Sequence, residues 1–162
     1  MIMDTNTTEN ITYRKAGTSD WDICMDLAWR TFERFEAPEY TPEGIRNFKE
    51  FLEDEVLYNM FLNGAYLIYV AESDGRIVGM ISLRDEVHIS LLFVEEEYHR
   101  RGIGSGLISH LASHMIFETD ADRMTVNAAP YAYGFYHRVG FIDTSEERIT
   151  DGITYTPMVL MF

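Results

Sequence analysis

Residues Tyr98 to Leu111 read Tyr-His-Arg-Arg-Gly-Ile-Gly-Ser-Gly-Leu-Ile-Ser-His-Leu, and they restrict the chain more than any other stretch. An apolar run, Ile89 to Val94, precedes them and an amphipathic helical pattern follows. A strand that passes through a basic, glycine-rich turn into a helix start is a device for holding phosphate. Glycine lets the backbone bend freely and come close to a ligand. The unpaired N–H groups of a first helical turn, at the positive end of the helix dipole, favour an anion. Arg100 and Arg101 add charge after Glu95-Glu96-Glu97, against an acidic background.

The glycine spacing separates the known anion-binding loops. A P-loop needs a Gly-Lys-Ser/Thr ending, which is absent. A dinucleotide fingerprint needs Gly-x-Gly-x-x-Gly in the first βα unit, with an acid about 20 residues on. Here Gly102, Gly104 and Gly106 give Gly-x-Gly-x-Gly late in the chain. His99-Arg100-Arg101-Gly102-Ile103-Gly104 resembles instead the coenzyme A pyrophosphate loop of the GCN5-related N-acetyltransferases, Gln/Arg-x-x-Gly-x-Gly/Ala. His99 departs from that pattern. A second stretch, Val126 to Phe141, is similar to the strand, splayed loop and helix of the same family, ending in Phe-Tyr-x-x-x-Gly-Phe.

The resemblance implies an α/β (α+β) fold with a mixed, mostly antiparallel central sheet, splayed at the acetyl-CoA site and flanked by helices. It implies an acetyl-CoA-dependent N-acetyltransferase acting on a primary amine of a small molecule or a protein. The coenzyme would lie against Leu92, Phe93 and Val94, the loop His99, Arg100, Arg101, Gly102, Ile103, Gly104 and Ser105, and Asn127, Tyr133 and Tyr136. Tyr136 would protonate the departing thiolate, and the Val94 N–H would face the thioester carbonyl. Ala129 stands where many members carry a further coenzyme-binding Asn, so that contact is missing. The rival readings are a non-catalytic acyl-CoA sensor or scaffold and a regulatory domain for another nucleotide.

An ammonium cannot attack a thioester, so the site has to remove a proton. Candidate bases are Glu33 and Glu36, between the first two helices, and Glu86 and His88, at the strand before the glycine loop. Glu33 and Glu36 also suggest a wall for a cationic amine, with Phe35, Glu39 and Tyr40 beside them. His110 and His114 are four apart on a helix. The acid that completes a zinc-protease motif is absent, and they are expected to face solvent, with no metal bound. Cys24 falls on an apolar helix face and reads as a small core residue.

The order expected is β-α-α-β-β-β-α-β-α-β-β, in a single domain over 1–162 with residues 1–10 flexible. The first strand is Ile11 to Lys15. A Ser19-Asp20 cap then opens a helix buried through Cys24, Leu27, Ala28 and Phe32. Thr41 and Pro42 open a second helix with Ile45, Phe48, Leu52 and Val56 on its apolar face. Strands follow at Tyr66 to Glu72, Arg76 to Leu83 and Val87 to Val94. Leu107, Ile108, Leu111, Ala112 and Met115 make the stripe of the long helix. The last strand, Ile153 to Phe162, is apolar on both faces, which suggests a homodimer through it.

The formal net charge of −14, 13 basic against 27 acidic residues, argues against nucleic acid and anionic membranes as partners. No apolar run approaches the roughly 18 residues of a membrane span. One cysteine permits no internal disulfide, and no signal peptide is visible, so a cytoplasmic location is expected.

Overall fold

The computed structural model describes residues 10–162. Eight strands form one sheet in the order β1-β2-β3-β4-β5-β8-β6, with β7 paired to β8 off this path. The strands are β1 (Ile11–Lys15), β2 (Leu67–Ser73), β3 (Arg76–Arg84), β4 (His88–Val94), β5 (Arg123–Ala128), β6 (Ile142–Asp143), β7 (Arg148–Thr150) and β8 (Ile153–Met161). Helices α1 (Trp21–Phe35), α2 (Pro42–Leu52) and α3 (Glu55–Leu62) precede β2, α4 (Ile103–Glu118) follows β4, and α5 (Tyr133–Arg138) follows β5. Every pairing is antiparallel except that of β4 with β5. This is the mixed, mostly antiparallel α/β sheet expected.

Two cores lie on the two faces of the sheet. On one, α1 buries Cys24, Leu27, Ala28 and Phe32 against Ile68, Val70, Met80, Leu91 and Phe93. The four helix residues fall at the i, i+3, i+4 and i+8 positions of a helical stripe. On the other face, α4 buries Leu107, Leu111 and Met115 against Val78, Ile81, Met124 and Val126. Ala112 of the predicted stripe is only half-buried. Burial pushes the Cys24 thiol up to about 12, as expected of an inert core residue.

Local chemistry explains most boundaries. Asp20 accepts from the Gly17 N–H at 2.7 Å and so closes the short 3-10 turn before α1, rather than capping α1 itself. Arg14 grips Asp20 and Glu72 through five-donor geometry, with Nη1 at 2.7 Å from Asp20 and Nη2 at 2.6 Å from Glu72. That contact holds the Asp20 carboxyl below its ordinary range. Thr41 Oγ1 accepts from the Gly44 N–H, with Pro42 at the first helical position, as the sequence suggests. The apolar face read through Val56 ends sooner. Asp54 accepts from the Val56 N–H and starts α3, which leaves Val56 exposed.

The turn at Asp74-Gly75 joins β2 to β3 with two positive φ values, 51° and 79°, the twist a two-residue hairpin needs. Asp151-Gly152, at 53° and 80°, does the same between β7 and β8. In β4 the register steps from Leu83↔Ile89 to Ser82↔Leu91, so Ser90 is an extra, bulged residue. Its hydroxyl joins those of Tyr66 and Ser82, at 2.6 and 3.0 Å, so the bulge stays satisfied where it meets the core. β8 lies between β5 and the short strands β6 and β7, so it is not an open edge of the sheet. Its buried side chains are Thr156 and Met158. Residues 1–9 of the segment expected to be flexible lie outside the described residues.

The β7–β8 turn is seated on the start of α2. The Thr41 hydroxyl donates to the Gly152 carbonyl at 3.3 Å, and the Asn47 amide donates to the Asp151 carbonyl at 3.2 Å. A Cβ on Gly44 would stand 2.5 Å from that same Gly152 carbonyl oxygen. Backbone cannot yield as a side-chain tip can. Gly44→Ala is therefore expected to lift the hairpin and lower stability by about 1–3 kcal/mol, read as the chemical-denaturation midpoint. A midpoint equal to the parent's would show that the contact is not required.

Candidate active site

The parallel pairing of β4 with β5 is confined to His88↔Thr125 and Ile89↔Val126. Beyond that point the two strands part, and two cavities occupy the gap. The smaller, about 510 Å³, lies beside the glycine loop; the larger, about 860 Å³, opens toward α2 and the β7–β8 hairpin. Both are of the size that holds a small organic ligand. Glu36, Leu92, Phe93, Ala132 and Tyr136 line both, so the cavities meet there.

The smaller cavity is lined by Leu92, Phe93, Val94, His99, Arg100, Gly102, Ile103, Gly104, Ser105 and Tyr136 of the residues expected. Gly102, at φ 77°, turns the chain into α4, and Arg100 before it is also left-handed at 62°. No side chain among the described residues caps α4. Its first N–H groups, those of Ile103, Gly104 and Ser105, are thus left to an anion or to water. A Cβ on Gly104 would meet the Phe135 ring at 3.0 Å, and that ring forms part of the cavity wall. The loop therefore has the backbone that a pyrophosphate requires.

His99 has a second occupation. Its Nε2 lies 2.7 Å from the Val94 carbonyl oxygen. A carbonyl only accepts, so Nε2 carries the proton and donates. The ring is also tilted on Phe35 at 5.0 Å, and Phe35 stacks on Tyr131 at 5.2 Å. His99 thus ties the loop back to the end of β4, and the three rings form an aromatic rim. Phe35 and Tyr131 were not expected at this cavity. Their only signal in the sequence is aromaticity beside a motif. Arg101 stands over the Tyr98 ring, 5.1 Å from its centroid, and is not among the lining residues.

Two expected residues sit elsewhere. Tyr133 lines neither cavity; its hydroxyl donates to Asp143 at 2.7 Å and meets His137 at 2.8 Å. One helical position separates it from the cleft, because Ala132 and Tyr136 face inward and Tyr133 turns to the β6 side. Asn127 lines the larger cavity and not the smaller one. It is the next-to-last residue of β5, where β4 has parted from the strand and β8 still pairs with it.

The candidate bases separate clearly. Glu33 and Glu86 are exposed and line neither cavity. His88 lines the larger cavity at the far end of β4, and burial holds it below its ordinary value. Glu36 follows the last turn of α1 and faces the junction. Burial, with a smaller contribution from Glu39, pushes its carboxyl up to about 7. Tyr136 is 5% exposed and forms no hydrogen bond with described residues, while no buried side-chain polar atom there lacks a partner. Its hydroxyl therefore opens to the cavity. Burial, and then the Glu36 charge, drive its pKa well above that of a free phenol, so it keeps its proton.

His110 and His114 do not form a pair. His110 stacks on Tyr13 at 4.2 Å and His114 reaches the Tyr69 hydroxyl at 3.3 Å. No group of three or more His, Cys, Asp or Glu among the described residues could hold a metal ion. No described helix is long and apolar enough to cross a membrane.

A family model described as an acetyltransferase (GNAT) domain matches residues 36–162. Among curated proteins, the uncharacterised N-acetyltransferase YafP of Escherichia coli K12 is 29% identical over 140 residues, covering 86% of this chain and 87% of that one. A GCN5-related N-acetyltransferase structure from Rhodopseudomonas palustris, described as an aminotransferase of class II, superposes with a TM-score of 0.80 at 24% identity, over 100% of this chain and 99% of that one. The PaiA N-acetyltransferase of Thermoplasma acidophilum, solved with coenzyme A, gives 0.74 at 22% identity, over 94% and 99%. With the glycine loop and the parted strands, these likenesses identify the chain as a member of the GCN5-related N-acetyltransferase family, the acetyl-CoA-dependent N-acetyltransferases.

Proposed function

We propose that acetyl-CoA occupies the smaller cavity, that a cationic primary amine enters through the larger one, and that Glu36 and Tyr136 act as base and acid where they meet. The observation that carries this reading is the shared lining of the two cavities by those two side chains. One is a carboxylate poised near neutrality and the other a phenol that holds its proton, which is the division of labour acid–base catalysis needs. The volume of about 860 Å³ suits a small-molecule acceptor.

In this scheme Glu36 takes a proton from the ammonium and frees the lone pair. The amine nitrogen attacks the thioester carbon, and a backbone N–H at the parted edge of β4, that of Val94, stabilises the developing oxyanion. The carbon–sulfur bond then breaks. The nitrogen sheds its second proton to solvent as the amide forms, and Tyr136, having given its proton to the thiolate, recovers one from solvent. Tyr40, half-buried beside Glu36, and Phe48 offer ring faces to the cation or its alkyl part. Glu33, being outside both cavities, keeps at most a long-range role in attracting a cation.

Three measurements test the scheme. Gly104→Val pushes Phe135 into the smaller cavity, and CoA binding by calorimetry is expected to fall at least ten-fold; a folded variant with the parent affinity would remove the loop from the site. Tyr136→Phe is expected to lower kcat by about ten-fold or more while CoA affinity holds; full kcat would assign the proton to water. For Glu36 the sign is fixed by its role: the base works when ionised, so kcat/KM should rise with pH through about 7. Glu36→Gln should remove that limb and lower kcat/KM by about 10². An unchanged pH profile in the variant would show that another group or a water chain removes the proton.

A further inference from the structure

The larger cavity has two chemically different ends, and the acetyl-transfer reading uses only one. Its floor runs along β4 from His88 to Phe93. At a rise of about 3.3 Å per residue, His88 lies about 13 Å from Leu92 at the junction. Acidic side chains reach the cavity from the α1 end, α2 and the β7–β8 turn: Glu36, Glu43 and Asp151. Arg84 reaches it from the opposite end, and it is the one Lys or Arg among the lining residues.

Arg84 and His88 are directly paired across the β3–β4 ladder. Arg84 meets only the exposed Asp85 among the described residues, at 3.7 Å, beyond ordinary hydrogen-bond length. Its five donors are therefore largely unspent. His88 has Nδ1 at 2.8 Å from the Thr125 hydroxyl. When Thr125 donates there, the His88 proton sits on Nε2, which has no hydrogen-bond partner among the described residues, while Asp85 acts on the ring only electrostatically. Two donors thus stand side by side at a cavity end, on a chain with a net charge of −14. Between this end and the junction the wall is Phe48, Phe51 and Tyr155, which would hold an apolar spacer.

Resting on the acetyl-transfer reading, we propose that Arg84 and His88 bind an anionic group of the acceptor, so that the substrate is an amine with a carboxylate, or a comparably compact anion, about 13 Å from its nitrogen. The ammonium is drawn to the Glu36 end and the anion to the Arg84 end. A zwitterion of the right length is oriented by both, whereas a diamine or a neutral-tailed amine is held by one. Arginine suits the task because its planar fork binds a carboxylate through two parallel bonds.

The test uses a graded series of α,ω-amino carboxylates and, at each length, the matching amino amide and diamine. Acetylation kinetics are measured for each, together with calorimetric binding to the CoA-loaded protein. The expected result is one best length at which the carboxylate exceeds its amide about ten-fold in kcat/KM, chiefly through KM. Arg84→Gln should erase that advantage, and Arg84→Glu should turn it toward the diamine. Carboxylate and amide used equally at every length, or an advantage that survives Arg84→Gln, would overturn the proposal. Carboxylate-selective binding that depends on Arg84, without turnover, would support the anion site and overturn the acetyl-transfer reading instead. Turnover without selectivity would do the reverse, and a series that neither binds nor reacts would overturn this proposal.

Discussion

The site depends on a pairing that stops. β4 and β5 share a ladder at two residue pairs, and from Ser90 onward β4 presents its backbone edge to a cleft. Unpaired backbone groups are costly when buried dry, so such a gap persists only if ligand or water serves it and if each strand is held elsewhere. The cleft gives ligand or water access to that edge, and each strand is held elsewhere. β4 is zipped to β3 from His88 to Val94 apart from the bulge at Ser90, and β5 is paired with β8 over six positions, Arg123↔Met161 to Ala128↔Thr156. The core under α4 spans the gap, since it contains Ile89 of β4 together with Met124, Val126 and Ala128 of β5. The core under α1 contains no residue of β5 or β8. One face of the sheet therefore bridges the split, and the other leaves it open toward α2.

What closes the open face also shapes it. The Asp151-Gly152 turn rests on α2 through a contact with no room for a Cβ on either glycine. α1 is fixed to the end of β4 by Arg30, whose guanidinium holds the buried Glu95 through two bonds at 3.1 and 2.8 Å. That pair sits one residue past Val94 and, on the helix side, less than two turns before Glu36. It sets the distance between the parted strand and the carboxylate opposite. Burial at the junction then acts on two acids of different intrinsic strength. It brings Glu36 to about 7 and keeps Tyr136 protonated. The same burial thus raises both groups, leaving a carboxyl near neutrality beside a phenol that keeps its proton.

The glycine loop was legible because its function is local. Backbone freedom at Gly102, the helix start at Ile103 and the apolar run before them lie within a few residues, so spacing alone carries the chemistry. Phe135 and Tyr136 were legible for the same reason. Tyr133 was misleading: it lies in the same short motif, but a six-residue helix points it at Asp143. The larger cavity was not legible. Its walls come from the α1 end, α2, β4, β5 and the β7–β8 hairpin, and β7 itself was missed although Asp151-Gly152 is a strong hairpin signal. Glu33 and Glu36 looked equivalent in sequence. Three residues apart they would share a helix face, but α1 ends at Phe35, so Glu36 leaves the helix and faces the junction while Glu33 stays exposed.

By itself the sequence determined the family, the mixed sheet with its helices, and a glycine loop leading into a helix, because each is written in residues that are neighbours along the chain. Only the tertiary structure decided which carboxylate shares a cavity wall with Tyr136, how α2 and the hairpin enclose the larger cavity, and that Arg84 and His88 stand at its far end. Those relations join side chains from distant segments. They follow from where β4 and β5 part and from which core bridges them, which no local pattern records.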